Sequence, residues 1–146
     1  MDIFSPEYFM KEALKEARKA LEKNEVPIGA VIVNNNQIIA RAYNLSETLN
    51  DATAHAEMQA FTAATNFLGG KYLTDCTIFV TLEPCIMCGG ASFWTQISEI
   101  VYGASDKKRG YSTVRSKILH PKTKVISGIL EDECSNLLID FFKQKR

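Results

Sequence analysis

Two short segments hold residue types that do chemistry: Ala54-His55-Ala56-Glu57 and Glu83-Pro84-Cys85-Ile86-Met87-Cys88. Cys85 and Cys88 lie three residues apart. On a first helical turn that spacing points both sulfurs the same way, so they can reach one ion. A helix N-terminus stabilises negative charge and lowers a thiol's pKa, favouring the thiolates that zinc needs. His55 adds a nitrogen ligand from a facing helix. Three protein ligands leave a tetrahedral zinc one open position, the mark of a catalytic site, where water ionises near neutral pH. Glu57, two residues beyond His55, does not project with the imidazole. It suits a different task, taking a proton from such a water and returning it to a substrate.

The same residues allow other readings. A Cys-x-x-Cys pair can be a redox pair, but the thioredoxin-like context is missing and His55 and Glu57 are left without a role. A structural zinc site would draw its fourth ligand from Cys76, Cys134 or His120. Cys76 and Cys134 read instead as small buried hydrophobes on a strand and a helix, and His120, before Pro121 in a polar loop, as a surface histidine. Four cysteines allow two disulfides in three connectivities, yet a close pair in a reducing compartment points to metal or redox chemistry.

The two segments must be brought together by the elements that bear them. Ser5-Pro6 starts a helix, with a hydroxyl to cap and a proline at the first helical position. Phe9, Ala13, Ala17, Ala20 and Leu21 then recur at helical spacing, with Lys11, Glu12, Lys15, Glu16 and Lys19 facing outward and an end near Lys23. The runs 28–33 and 37–43 predict a hairpin through Asn34-Asn35-Asn36, since Asn tolerates positive φ. Residues 54–67 predict a second helix closed by Gly69-Gly70. Strands at 77–82 and 99–103 flank a helix over 84–95. A polar, basic loop leads to a last strand at 124–127. A helix over 131–143 closes the chain, with Cys134, Leu137, Leu138, Phe141 and Phe142 on one apolar side. Strands alternating with helices predict an α/β fold, a mixed sheet covered on both faces. No linker, repeat or low-complexity tract interrupts residues 1–146, which read as a single domain.

The longest conspicuous uncharged run, residues 84–98, is 15 residues and includes Pro84, Gly89, Gly90 and Gln96, against the roughly 20 apolar residues of a membrane span. The opening Met1-Asp2-Ile3-Phe4-Ser5-Pro6-Glu7 lacks a positive region and apolar block, so the expected location is cytoplasmic. Seventeen basic and seventeen acidic residues balance, which as an average argues against a nucleic-acid binder. The average hides two unlike regions. Residues 107–124 hold seven basic residues and no acidic one, while the other 128 hold ten basic and seventeen acidic. Lys143, Lys145 and Arg146 add positive charge at the C-terminus. Such a patch suits a phosphate backbone, and Tyr111 within it could stack on a base.

The pairing of His55-Ala56-Glu57 with Pro84-Cys85-Ile86-Met87-Cys88 resembles the zinc-dependent cytidine and deoxycytidylate deaminase superfamily. A closer resemblance, over about residues 7–145, is to the bacterial tRNA-specific adenosine deaminases. It is carried by Val26-Pro27-Ile28-Gly29-Ala30-Val31, Asn44, Thr53 to Glu57, Thr81-Leu82-Glu83-Pro84-Cys85, Gly103-Ala104-Ser105-Asp106, Gly128-Ile129-Leu130, and Asp132-Glu133-Cys134 with Phe141-Phe142. The resemblance implies a three-layer cytidine-deaminase-like fold with a mixed five-stranded sheet between helices, in a homodimer. It implies Zn2+ on His55, Cys85 and Cys88, proton shuttling by Glu57, a base hydrogen bond from Asn44, a pocket wall from Ile28, and a sugar or neighbouring-nucleotide contact from Asp106. After Asp106 the family often continues with small residues, whereas this chain reads Lys107-Lys108-Arg109-Gly110-Tyr111-Ser112.

The function so implied is hydrolytic deamination of adenosine to inosine at the wobble position of a tRNA anticodon loop, where a splayed base is cheapest to capture. A deaminase of a free base or nucleotide (guanine, cytosine or deoxycytidylate) would use the same zinc and glutamate. A non-catalytic RNA-binding module with structural zinc would have no use for an unliganded Glu57.

Overall fold

A computed structural model describes residues 4–145, so Met1 to Ile3 of the opening segment and the C-terminal Arg146 charge lie outside the described residues. The elements run α1 (Pro6–Glu22), β1 (Gly29–Asn34), β2 (Gln37–Tyr43), α2 (Ala56–Leu68), β3 (Thr77–Leu82), α3 (Ile86–Thr95), β4 (Glu99–Ala104), a short 3-10 turn (Tyr111–Thr113), β5 (Lys124–Ser127) and α4 (Glu131–Gln144). Every expected element forms, with ends shifted by at most two residues. The helical turns begin just after His55 and Cys85, which occupy the N-cap positions of α2 and α3.

The strands form one sheet in the order β2-β1-β3-β4-β5. β1 pairs antiparallel with β2 and β3, whereas β3–β4 and β4–β5 are parallel. Side chains alternate across the sheet, as the period of two requires. Ala30, Ile32, Ile78, Val80, Ile100 and Tyr102 face α2 and α3, with Ala56, Ala60, Phe61 and Ala64 of α2 packed on them. Val31, Val33, Phe79 and Val101 face the other way, onto Phe9, Met10, Ala13 and Leu14 of α1 and Cys134 of α4. Burial on both faces explains the nearly continuous apolar runs of β1, β3 and β4. This is the expected α/β mixed sheet between helices. Among the described residues no helix is long and apolar enough to cross a membrane.

Local chemistry sets the boundaries. Ser5 Oγ accepts the Tyr8 amide at 3.2 Å, with Pro6 at the start of α1. Asn35 and Asn36 turn the hairpin at φ 52° and 60°. Gly29 lets α1 lie directly on β1, because a Cβ there would overlap the Ala13 carbonyl and the Ala17 amide.

Two expectations fail. Glu12 and Glu16 do not face outward; both are buried. Arg41 of β2 reaches up to the helix, with Nη2 2.7 Å from Glu12 Oε1 and Nη1 3.5 Å from Glu16 Oε2. Lys15 and Lys19 close the cluster at 2.6 and 2.9 Å. Helical spacing identifies the apolar stripe, but it does not show that a long cation from the sheet will cover the carboxylates beside it. On α4, Phe141 is buried while Phe142 is 48% exposed, edge-on to Phe141 at 5.2 Å. The apolar side of α4 therefore narrows at its C-terminal turn.

Candidate active site

The sheet topology brings the two chemical segments to one end of the molecule. β3 runs into Glu83-Pro84-Cys85, and α3 follows at once. Gln59 Nε2 of α2 donates to the Tyr43 carbonyl at the end of β2 and to the Ala54 carbonyl, at 2.8 and 3.1 Å, which fixes the entry to α2. His55 Nδ1 then lies 3.7 Å from Cys85 Sγ and 3.6 Å from Cys88 Sγ. Among the described residues these three form the one group of His, Cys, Asp or Glu side chains poised to hold a metal. Tetrahedral zinc, with Zn–S of about 2.3 Å and Zn–N of about 2.0 Å, separates its nitrogen and sulfur ligands by about 3.6 Å. The donor set and its spacing therefore fit zinc. Cys76 and Cys134 are buried in the two opposite cores, and all four cysteines are unpaired. His120 packs against the Phe93 ring at 5.5 Å and accepts the Lys122 amide.

The electrostatics concentrate charge at this point. A hydrogen bond from Cys88, with His55 assisting, pushes the Cys85 thiol down to about 4. Cys88, hydrogen-bonded to Cys85 and desolvated, is pushed upward. The hydrogen bond to Cys85 raises His55 above its usual range, against the effect of burial. A second thiolate therefore needs a cation, which is what a metal supplies. Glu57 is 4% exposed. Burial pushes its carboxyl up to about 7, and it hydrogen-bonds the Cys88 thiol without joining the metal-ligand group. A carboxyl poised near neutrality can both accept and donate a proton.

The expected substrate residues gather at the same sheet end. Ala30 pairs with Val80 and Leu82 with Ala104, so residues just before β1 lie beside the end of β3, and residues after β4 lie level with Glu83. Asn44 is buried, and its amide donates to the Ile28 carbonyl at 3.0 Å. Its side chain has two long bonds, from Nδ2 to the Val26 carbonyl at 3.5 Å and from the Ser46 amide to Oδ1 at 3.3 Å. Ile28 is half-buried against the α2/α3 core. Asp106 Oδ1 accepts the amides of Lys108 and Arg109 at 3.1 and 3.0 Å, so this oxygen already shapes its own loop. Tyr111 is also less free than a stacking platform would be: it packs on the α2/α3 core and hydrogen-bonds Tyr102, and burial pushes its phenol up to about 12.

Sequence reasoning passed over two buried acids that build the surrounding loops. Glu25, fully buried, accepts the Glu47 amide at 3.1 Å and the Thr48 amide and hydroxyl at 2.6 Å each, holding the loop after Asn44. Glu83 accepts the amides of Asp106 and Ser112 and the Ser112 hydroxyl. Glu83 stands inside the cysteine segment, so its place was visible; its partners, 23 and 29 residues away, were not.

A buried acid beside a His/Cys/Cys cluster, at the end of a mixed sheet between helices, is the arrangement of a zinc-type deaminase site. The sequence profile of the MafB19-like deaminases matches residues 4–146, and the chain belongs to that deaminase family. The tRNA-specific adenosine deaminase of Bacillus subtilis (strain 168) is 48% identical over 145 residues, covering 96% of this chain and 90% of the relative. A solved structure from work on A-to-I editing by tRNA:A34 deaminases at the wobble position superposes with a TM-score of 0.83 and 41% identity, over 90% of this chain and 99% of that one. A guanine deaminase from Bacillus subtilis is 40% identical with a TM-score of 0.65, over 68% of this chain and 64% of that one.

Proposed function

We propose that this protein deaminates adenosine to inosine at the wobble position of a tRNA anticodon loop, with His55, Cys85 and Cys88 holding zinc and Glu57 moving protons. The observation that carries the chemistry is the buried Glu57 carboxyl set against the His55/Cys85/Cys88 cluster. The RNA substrate is supported by similarity to a tRNA-specific adenosine deaminase over 96% of the chain. The basic segment 107–124 begins beside the site and supports the same reading.

When bound, zinc supplies the Lewis acidity that makes water nucleophilic near neutral pH. Glu57 takes the proton of the water that attacks C6 of adenine and delivers it to ring nitrogen N1. It then passes the second proton to the departing amine, so that adenosine and water yield inosine and ammonia. Asn44 exchanges its long hydrogen bonds for the base, and Ile28 walls the pocket. Asp106 Oδ2 meets the sugar or a neighbouring nucleotide, since Oδ1 is already occupied. Burial of Glu57 and Cys88 keeps bulk water from competing for these protons.

The chain acts as one deaminase domain, in the cytoplasm and as a homodimer. Trp94, 76% exposed, with Ile86 and Phe93 also exposed on α3, supports a partnered surface. Light scattering tests the dimer. The decisive experiment offers the zinc-loaded protein a wobble-adenosine anticodon stem-loop and, separately, guanine, cytosine and deoxycytidylate. Inosine in the RNA is expected. Ammonia from a free base or nucleotide alone would overturn the reading.

A further inference from the structure

Glu83 stands two residues before Cys85 and lies outside the metal-ligand group, yet its side chain is only 3% exposed. A carboxylate in that position is costly unless hydrogen bonds compensate. Among the described residues, its side-chain hydrogen bonds all go to the two ends of one loop. Oε1 accepts the Asp106 amide at 3.1 Å, and Oε2 accepts the Ser112 amide at 3.1 Å and the Ser112 hydroxyl at 2.6 Å. The backbone repeats the tie: Gly110 bridges to Cys85, and the Tyr111 amide donates to the Pro84 carbonyl at 2.9 Å. A Cβ on Gly110 would overlap the Glu83 carboxylate, so the close approach requires glycine. Between the anchors the chain turns outward through Lys107, Lys108 and Arg109, all exposed.

We propose that Glu83 is a positioning residue that holds the Lys107–Arg109 turn in a fixed place beside the metal-ligand turn, so that its three cations grip the phosphates of the RNA whose base enters the site. The inference rests on the RNA reading above. The physical gain is preorganisation. A slack loop of equal charge would lose conformational entropy when RNA ordered it, whereas a loop already tied at both ends has little left to lose. The same carboxylate spans the cysteine segment and the cationic turn, so backbone phosphate and target base are held in register.

The test measures binding of a wobble-adenosine anticodon stem-loop to the zinc-loaded protein across a series of salt concentrations, with turnover followed in parallel. Glu83→Gln keeps the side chain's shape but presents an amide donor to groups that themselves donate. It is expected to weaken binding about tenfold at about 0.1 M salt, and to flatten the log–log salt dependence by about two to three, the share of three phosphate contacts. The loss falls on KM rather than kcat, and zinc content stays at that of the wild type. A Lys107→Gln, Lys108→Gln, Arg109→Gln triple variant should show the same flattening, and adding Glu83→Gln to it should change nothing further. Ser112→Ala, a milder cut of the same tie, should move binding in the same direction by less, and it serves if Glu83→Gln folds poorly. An unchanged salt slope in Glu83→Gln or Ser112→Ala overturns the proposal, as does a full additional loss on the triple background. Wild-type protein that binds the stem-loop but makes no inosine overturns the editing reading alone, because the salt-slope comparison stands without turnover.

Discussion

Glu57 and His55 are separated by one residue and meet different groups, because the helix begins between them. His55, at the N-cap, points at the two sulfurs, and Glu57, in the first turn, is buried against Cys88. This division makes two separable predictions. Glu57→Gln should keep its zinc, by metal analysis, and lose about 10²- to 10⁴-fold in kcat, the usual worth of a positioned proton carrier. Full turnover in zinc-loaded Glu57→Ala would show that the protons travel by another route. Cys88→Ala should lose zinc and activity together, since two remaining ligands make a poor site. At this scale the sequence was highly legible: with two histidines and four cysteines in the chain, ligand spacing left few combinations. What it concealed was the state of each group. The Cys85 thiol is pushed down and the Cys88 thiol up by their mutual contact, with His55 of the neighbouring helix adding to the first.

The elements are placed by contacts that local pattern does not record. Arg41 lies on β2, 29 and 25 positions from the acids it meets on α1. Arg41→Met should destabilise by about 1.5–3 kcal/mol, as hydrogen bonds to buried charged groups are lost, and thermal denaturation will measure it. Gly29→Ala drives a methyl into the α1 backbone and should cost about 1–3 kcal/mol or more. Glu25 makes a pH-dependent contribution. Burial alone would raise its pKa, but the Thr48 and Glu47 hydrogen bonds outweigh burial and hold it below the usual carboxylate range. A folded pKa below the unfolded value of about 4.3 means stability present above that pH and lost as acid protonates the folded form. The melting-temperature advantage of wild type over Glu25→Gln should therefore be full at pH 7 and shrink as pH falls below about 4.3. An advantage that grows in acid would contradict the assignment. Helix and strand positions were legible because apolar periodicity reports them. Arg41, Glu25 and Glu83 were not, because a polar side chain's partner across the fold leaves no period in the chain.

Across the whole molecule, the charge balance conceals a division that matters for substrate choice. Net charge is zero, yet the stretch from Lys107 to Lys124 holds seven basic residues and no acidic one, and it begins where β4 leaves the sheet beside the site. RNA binding should therefore weaken steeply with added salt, whereas deamination of a small free base would be nearly indifferent to it. The amino-acid sequence by itself determined the ligand group and the layers: residue types and spacing singled out His55, Cys85 and Cys88, and the apolar runs along β1, β3 and β4 placed helices on both faces. Both are short-range properties, fixed by residue identity and by the periods of helix and strand. Only the tertiary structure decided how the pieces meet. The order β2-β1-β3-β4-β5 carries Ile28, Asn44, Cys85 and Asp106 to one end of the sheet, and Glu83 ties the basic loop to the cysteine turn there. Strand order and parallel register are set by which buried faces and polar groups satisfy one another across long stretches of chain, a global balance that no local window contains.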